Sequence, residues 1–161
     1  MGIKRSGIKK KTTKNTAETV REGVKLASML RGGDIVLLSG DLGAGKTHFT
    51  QGILNGLGSD EYAVSPTFTI VNEHRSCRIP LIHIDVYRLR DAGELYDTGI
   101  DEYIGDDVVT VIEWADKFPE LADLPGRKFY VEITRRDDID PERREIRTKY
   151  PDDVFAKREA E

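Results

Sequence analysis

Apolar residues follow two rhythms along this chain. Val20, Val24, Ala27 and Leu30 recur at the spacing of one helix face. Asn15, with Glu18 three residues on, is a capping signal for the start of that helix, and Gly32-Gly33 marks its stop. A second helix is expected from Lys46 to Leu57, stopped by Gly58. The other rhythm is the short unbroken apolar run of a buried strand: Ile35 to Ser39, Leu81 to Asp85, and Val108 to Ile112, which closes on Glu113-Trp114. Phe68 to Val71 predicts a further strand, and the turn from Arg75 to Pro80 is short enough to make it an antiparallel hairpin with Leu81 to Asp85. Lys128 to Thr134 and Arg144 to Thr148 read as two late strands, and the acidic stretch 91–107 as one or two short helices. Strands alternating with helices predict an α/β, three-layer sheet, mostly parallel with an inserted antiparallel hairpin.

Length and charge refine this picture. The chain has 161 residues, the size of one domain. Lys4, Arg5, Lys9, Lys10, Lys11 and Lys14 crowd the first 14 residues, and all 29 acidic residues lie beyond them. Residues 1–14 therefore read as a flexible basic arm, 15–148 as the domain and 149–161 as a polar tail, because blocks of like charge repel and stay solvated. The acidic body argues against strong nucleic-acid binding by the domain alone. No run approaches the ~18 apolar residues of a membrane span. Cys77 is the only cysteine, which excludes an internal disulfide and fits a reducing, cytoplasmic setting. One cysteine and three scattered histidines do not make a structural zinc site.

The chemistry concentrates between Gly40 and Thr47. Gly-Asp-Leu-Gly-Ala-Gly-Lys-Thr matches the phosphate-loop pattern in full, with an apolar strand before it and a helix after it. Glycines let successive backbone amides curl round an anion, and the helix N-terminus adds positive potential there. Asp41, Leu42, Gly43, Ala44, Gly45, Lys46, Thr47 and His48 are thus the expected nucleotide-binding residues. In such loops the lysine reaches the β- and γ-phosphates and the hydroxyl ligates Mg²⁺. A dinucleotide-binding reading fails, because that pattern, started at Gly43, needs glycine where His48 stands.

A P-loop enzyme also needs an acid at a strand end near the metal. Asp85 and Glu113 both qualify. The reading adopted sets Glu113 near the metal and Asp85 near the attacking water; the residues alone leave the reverse open. His83 and Asp85 share one strand face, the spacing of either a proton relay or an ordinary sheet histidine. Thr67, in Ser65-Pro66-Thr67, is the candidate γ-phosphate sensor. Trp114 reads as a core residue or a lid over the nucleotide.

Four blocks in order carry a family resemblance: Gly40 to Thr47, Ser65-Pro-Thr-Phe-Thr-Ile-Val71, His83-Ile-Asp-Val-Tyr-Arg-Leu89 and Ile112-Glu-Trp114. With Glu18-Thr19, Gly23 and Ala27 of the first helix, they resemble the TsaE (YjeE) family over about residues 15–148. The resemblance implies a P-loop NTPase-like fold and a Mg²⁺-dependent ATP hydrolase, weak alone. It would work with a TsaD–TsaB pair that attaches threonylcarbamoyl to the adenosine beside the tRNA anticodon, resetting that complex between rounds. It also implies Glu113 and Thr47 as metal residues, and Asp85, Lys46 and Thr67 as catalytic ones. The chain departs from the family in its long basic arm and in Asn72 and His74 beside Glu73, which bears on partner contacts. A small-molecule kinase is the alternative, but the 91–107 stretch has no arginine for a closing lid. A GTPase would need an Asn/Thr-Lys-x-Asp segment, which the chain lacks.

Overall fold

The computed structural model describes residues 7–66 and 70–154. Among these residues, seven strands form one sheet: β1 (Ile8–Thr13), β2 (Ile35–Ser39), β3 (Val71–His74), β4 (Leu81–Asp85), β5 (Val109–Glu113), β6 (Lys128–Arg135) and β7 (Arg144–Lys149), in the order β1-β7-β6-β2-β5-β4-β3. The middle is parallel, with β2 between β5 and β6 and β5 beside β4. Both edges are antiparallel: the expected hairpin β3–β4 at one, and β6–β7–β1 at the other.

Burial explains the division. Strands β4 and β5 are buried at every position, as parallel strands covered on both faces are. Strand β6 alternates, with Phe129, Val131 and Ile133 buried and the residues between them largely solvated, so it can sit beside an antiparallel neighbour with one bare face. Along β2, Val36 and Leu38 enter one apolar cluster with Leu26, Phe49 and Ile53, while Ile35 and Leu37 enter the other with Ile84, Leu95 and Phe118. The first cluster lies under α1 (Thr16–Ala27) and α2 (Lys46–Gly56). The second lies under α3 (Ala92–Asp97), α4 (Ile100–Tyr103) and two 3₁₀ turns at Ala115–Lys117 and Pro119–Asp123. Among the described residues, no helix is long and apolar enough to cross a membrane.

Local signals held at the helix starts. Asn15 caps α1 by accepting from the Glu18 amide at 3.0 Å, and the Glu18 carboxylate reaches back to the Lys14 amide. Asp91 caps α3 in the same way. Helix α1 stops at Ala27, earlier than the glycine pair, and its buried face carries Thr19, Gly23, Leu26 and Ala27, leaving Val24 exposed. The face is set by α2, which crosses α1 at backbone contact. A Cβ on Gly52 would stand 2.0 Å from the Val20 carbonyl oxygen. Gly52→Ala is therefore expected to cost about 2–3 kcal/mol through overpacking, lowering the melting midpoint by roughly 4–12 °C. A thermal melt checks this.

Three expectations need correction. Residues 8–13 are not a free arm but the edge strand β1, paired with β7 from Ile8↔Lys149 to Thr13↔Arg144. Its ladder is made by the backbone, so lysine side chains do not oppose it, and exposed lysines suit a sheet edge. Thr13 is fully buried and shares a 2.8 Å hydrogen bond with Thr19 of α1. Residues 1–6 lie outside the described residues. The tail is also anchored where described: Lys149 ends β7, and Asp153 pairs with Arg127, whose guanidinium grips the buried Asp34 through two hydrogen bonds. The hairpin strand is Val71–His74, later than Phe68 to Val71. Ile70 has φ of 68°, a left-handed conformation that a strand running through position 70 could not hold. Residues 67–69, with Thr67 and Phe68, lie outside the described residues.

Candidate functional site

The site begins at the C-terminal end of β2, where the chain turns through Gly40 and enters α2 at Lys46. Gly45 caps α2 with φ of 104°, a conformation that any Cβ would strain. At Gly40 a Cβ would fall 2.4 Å from the Ile133 carbonyl oxygen, so the loop packs directly on β6. The first amides of α2 have no acceptor within the helix, and Lys46, Thr47 and His48, which carry them, line a cavity. That cavity has a volume of about 430 Å³ and is lined by Leu42 to His48, with Ser65, Tyr87, Glu113, Trp114, Thr16, Thr19, Glu142 and Arg144 at its walls.

Lys46 lies folded over the loop. Its ammonium donates to the carbonyl oxygens of Gly40 and Asp41 and sits 4.0 Å from the Trp114 ring centroid. Burial lowers its pKa from the ordinary lysine value, against the opposing pull of Glu113, Asp85, Asp116 and Asp41. A charge held this way favours an incoming anion.

The two acids meet next to it. Asp85 ends β4 and Glu113 ends β5, and the two stand opposite each other in the parallel register. Both are buried, with 3% and 1% of their surface exposed. The Thr47 hydroxyl lies 3.4 Å from Glu113 Oε1. The Ser65 hydroxyl donates to Asp85 Oδ2 at 3.0 Å, with Glu113 Oε2 at 3.4 Å on its other side. Asp85 Oδ1 also accepts from the Tyr87 amide at 2.8 Å. His83 is fully buried, and its Nε2 stands 3.3 Å from Glu113 Oε2 without an aligned hydrogen bond. The histidine thus meets the acid on the neighbouring strand.

Of the sequence candidates, Leu42 to Thr47, His48 and Glu113 line one cavity, with Asp85 behind Ser65. Asp41 contributes its carbonyl oxygen to Lys46. Thr67 lies outside the described residues. Trp114 packs on the second apolar cluster and also borders the cavity, its ring centroid 4.7 Å from that of Tyr87. Its φ of 62° turns the ring over Lys46 directly after β5 ends. Two residues escaped sequence reasoning. Ser65 sits in the loop already singled out, two positions before the residue chosen. Arg144 of β7 donates to the Ala44 and Gly43 carbonyl oxygens at 2.9 and 3.2 Å, across a hundred residues of chain, and no local pattern announces it.

Known proteins match this arrangement over most of its length. The family model described as threonylcarbamoyl adenosine biosynthesis protein TsaE matches residues 13–146. The tRNA threonylcarbamoyladenosine biosynthesis protein TsaE of Bacillus subtilis is 42% identical over 130 residues, 81% of this chain and 80% of that one. The protein of the same name from Synechocystis is 47% identical over 105 residues, 62% of this chain and 65% of its own. The crystal structure of Bacillus subtilis YdiB superposes with a TM-score of 0.74 at 33% identity, covering 95% of this chain and 93% of its own. With the family model matched over residues 13–146 and a relative 42% identical over four fifths of both chains, the chain belongs to the TsaE family of threonylcarbamoyl adenosine biosynthesis proteins.

Proposed function

We propose that this protein is a Mg²⁺-dependent ATP hydrolase of the cytoplasm that serves threonylcarbamoyl modification of tRNA. It would act on a TsaD–TsaB complex, with ATP hydrolysis resetting that complex and tRNA met only through it. The observation that supports this most is the meeting of a complete phosphate loop with two buried carboxylates in register at the ends of β4 and β5.

The residues present fit magnesium. Among the described residues, no three His, Cys, Asp or Glu side chains converge as a protein-only cage. Magnesium does not ask for one; it takes one or two protein oxygens and completes its shell with water and substrate phosphate. Thr47 Oγ1 and Glu113 Oε1, 3.4 Å apart beside the loop, offer such a pair of hard oxygens. When bound there, the ion neutralises charge on the β- and γ-phosphates.

The chain's own groups divide the remaining work. Loop amides and the α2 N-terminus receive the phosphates, and Lys46 exchanges the Gly40 and Asp41 carbonyls for phosphate oxygen. Water attacks the γ-phosphorus, the bond to the β-γ bridging oxygen breaks, and ADP and phosphate leave. Asp85 is the acceptor for the water's proton, held in place by the Tyr87 amide and the Ser65 hydroxyl. Trp114 and Tyr87 cover the site and keep bulk water from Lys46.

Asp85→Ala separates the roles of the two acids. Hydrolysis is expected to fall by about 10²–10⁴-fold, the range of a lost general base, with ATP affinity kept within a few-fold. Parallel calorimetric titration and phosphate release measure both. Loss of Mg-ATP binding in this variant would move the metal role from Glu113 to Asp85.

A further inference from the structure

We propose that Arg144 is a positioning residue that holds the phosphate loop open before any nucleotide arrives. This rests on the nucleotide-binding reading of the loop, but it concerns the empty protein. A loop that turns its amides toward an anion must turn its carbonyls away, and those oxygens need donors of their own. Arg144 supplies two of them. Its Nε–H donates to the Ala44 oxygen at 2.9 Å, and Nη2 to the Gly43 oxygen at 3.2 Å. On its other side, Nη1 donates to the Pro141 and Arg143 oxygens at 2.7 and 3.0 Å. One planar cation therefore ties the phosphate loop to the turn that enters β7.

The anchor is rigid. Arg144 lies in register with Thr13 of β1 on one side and Arg135 of β6 on the other. Thr13 in turn is bonded to Thr19 of α1, whose side chain borders the same cavity. Every described hydrogen bond of the guanidinium goes to a backbone carbonyl, and among the described residues no carboxylate pairs with it. Its positive charge thus stays available beside the loop. The other cation on the loop carbonyls, Lys46, leaves them when it turns to phosphate, whereas Arg144 does not need to move. Lysine cannot replace this arrangement, since an ammonium lacks the planar fork that spans two carbonyls.

The test is amide hydrogen exchange on the nucleotide-free full chain, comparing wild type with Arg144→Lys and Arg144→Met, followed by Mg-ATP titration of all three. Exchange at the Ala44 amide, which is bonded to the Asp41 oxygen, should quicken in both variants while β6 and β7 keep their protection, and the Kd for Mg-ATP should rise roughly 10–100-fold in both. Unchanged exchange at Ala44 overturns the proposal. So does full rescue by lysine, which would make charge alone sufficient, and so does loosening of β6 and β7, which would make Arg144 a sheet residue. A wild type that binds no ATP would sink the nucleotide reading instead, and the exchange data would still decide the role of Arg144.

Discussion

Lys46→Ala is expected to abolish ATP hydrolysis, with a fall of at least about 10³-fold in turnover. The size follows from what one preorganised charge contributes in a shielded site, about 10²–10³-fold for a single donor, with loss of phosphate binding added to it. Lys46 is the only loop residue that brings a full positive charge to the cavity, and it is already desolvated under Trp114. No reorganisation is required of it beyond exchanging two carbonyl oxygens for phosphate oxygens. The variant should fold, because removing the side chain leaves the Gly40 and Asp41 carbonyls open to water at the cavity mouth. Phosphate release and a thermal melt, run together, check the expectation. Near-normal turnover would remove Lys46 from the chemistry.

Glu113→Gln is the second large effect, about 10²–10³-fold in turnover, and it differs in kind. The amide keeps the volume of a residue that is 1% exposed and packed among Thr47, Ser65 and His83, so the fold is preserved. The negative charge beside the Thr47 hydroxyl is lost. Nucleotide titrated without magnesium should bind the variant and the wild type alike. Only the gain in affinity that magnesium brings should disappear. Equal magnesium dependence in the two proteins would show that the ion is not held at Glu113. This pattern contrasts with Asp85→Ala, where binding survives with magnesium present, so the two acids are separable by titration alone.

How much of this was legible in the sequence depends on how far apart the interacting residues lie. The runs at 35–39, 81–85 and 108–112 announced strands covered on both faces, and the structure buries nearly every side chain in them. Asn15 with Glu18 announced a helix start because both halves of the cap lie within four residues. The turn from β2 into α2 was legible for the same reason, since its residues are consecutive in the chain. Strand β1 was not: its lysines read as a charge block, while its ladder is a backbone pairing with β7, more than 130 residues away. Arg144 is hidden likewise, since its partners Gly43 and Ala44 are neighbours only after the sheet assembles. Trp114 could be assigned to core or lid from the sequence; the left-handed turn after β5 sets it against the second apolar cluster and over Lys46 at once. The nearness of Glu113 to Thr47 was a matter of strand order. Because β5 and not β4 lies beside β2, its terminal acid is the one that reaches the loop.

The most direct test of the account is phosphate release from Mg-ATP by the full chain, measured alone, with purified TsaD–TsaB, and with that pair plus tRNA. Release should be slow alone and strongly stimulated by the pair, and Lys46→Ala should abolish it. Fast release that ignores the pair, or release that rises only with a small phosphate acceptor, would contradict the account.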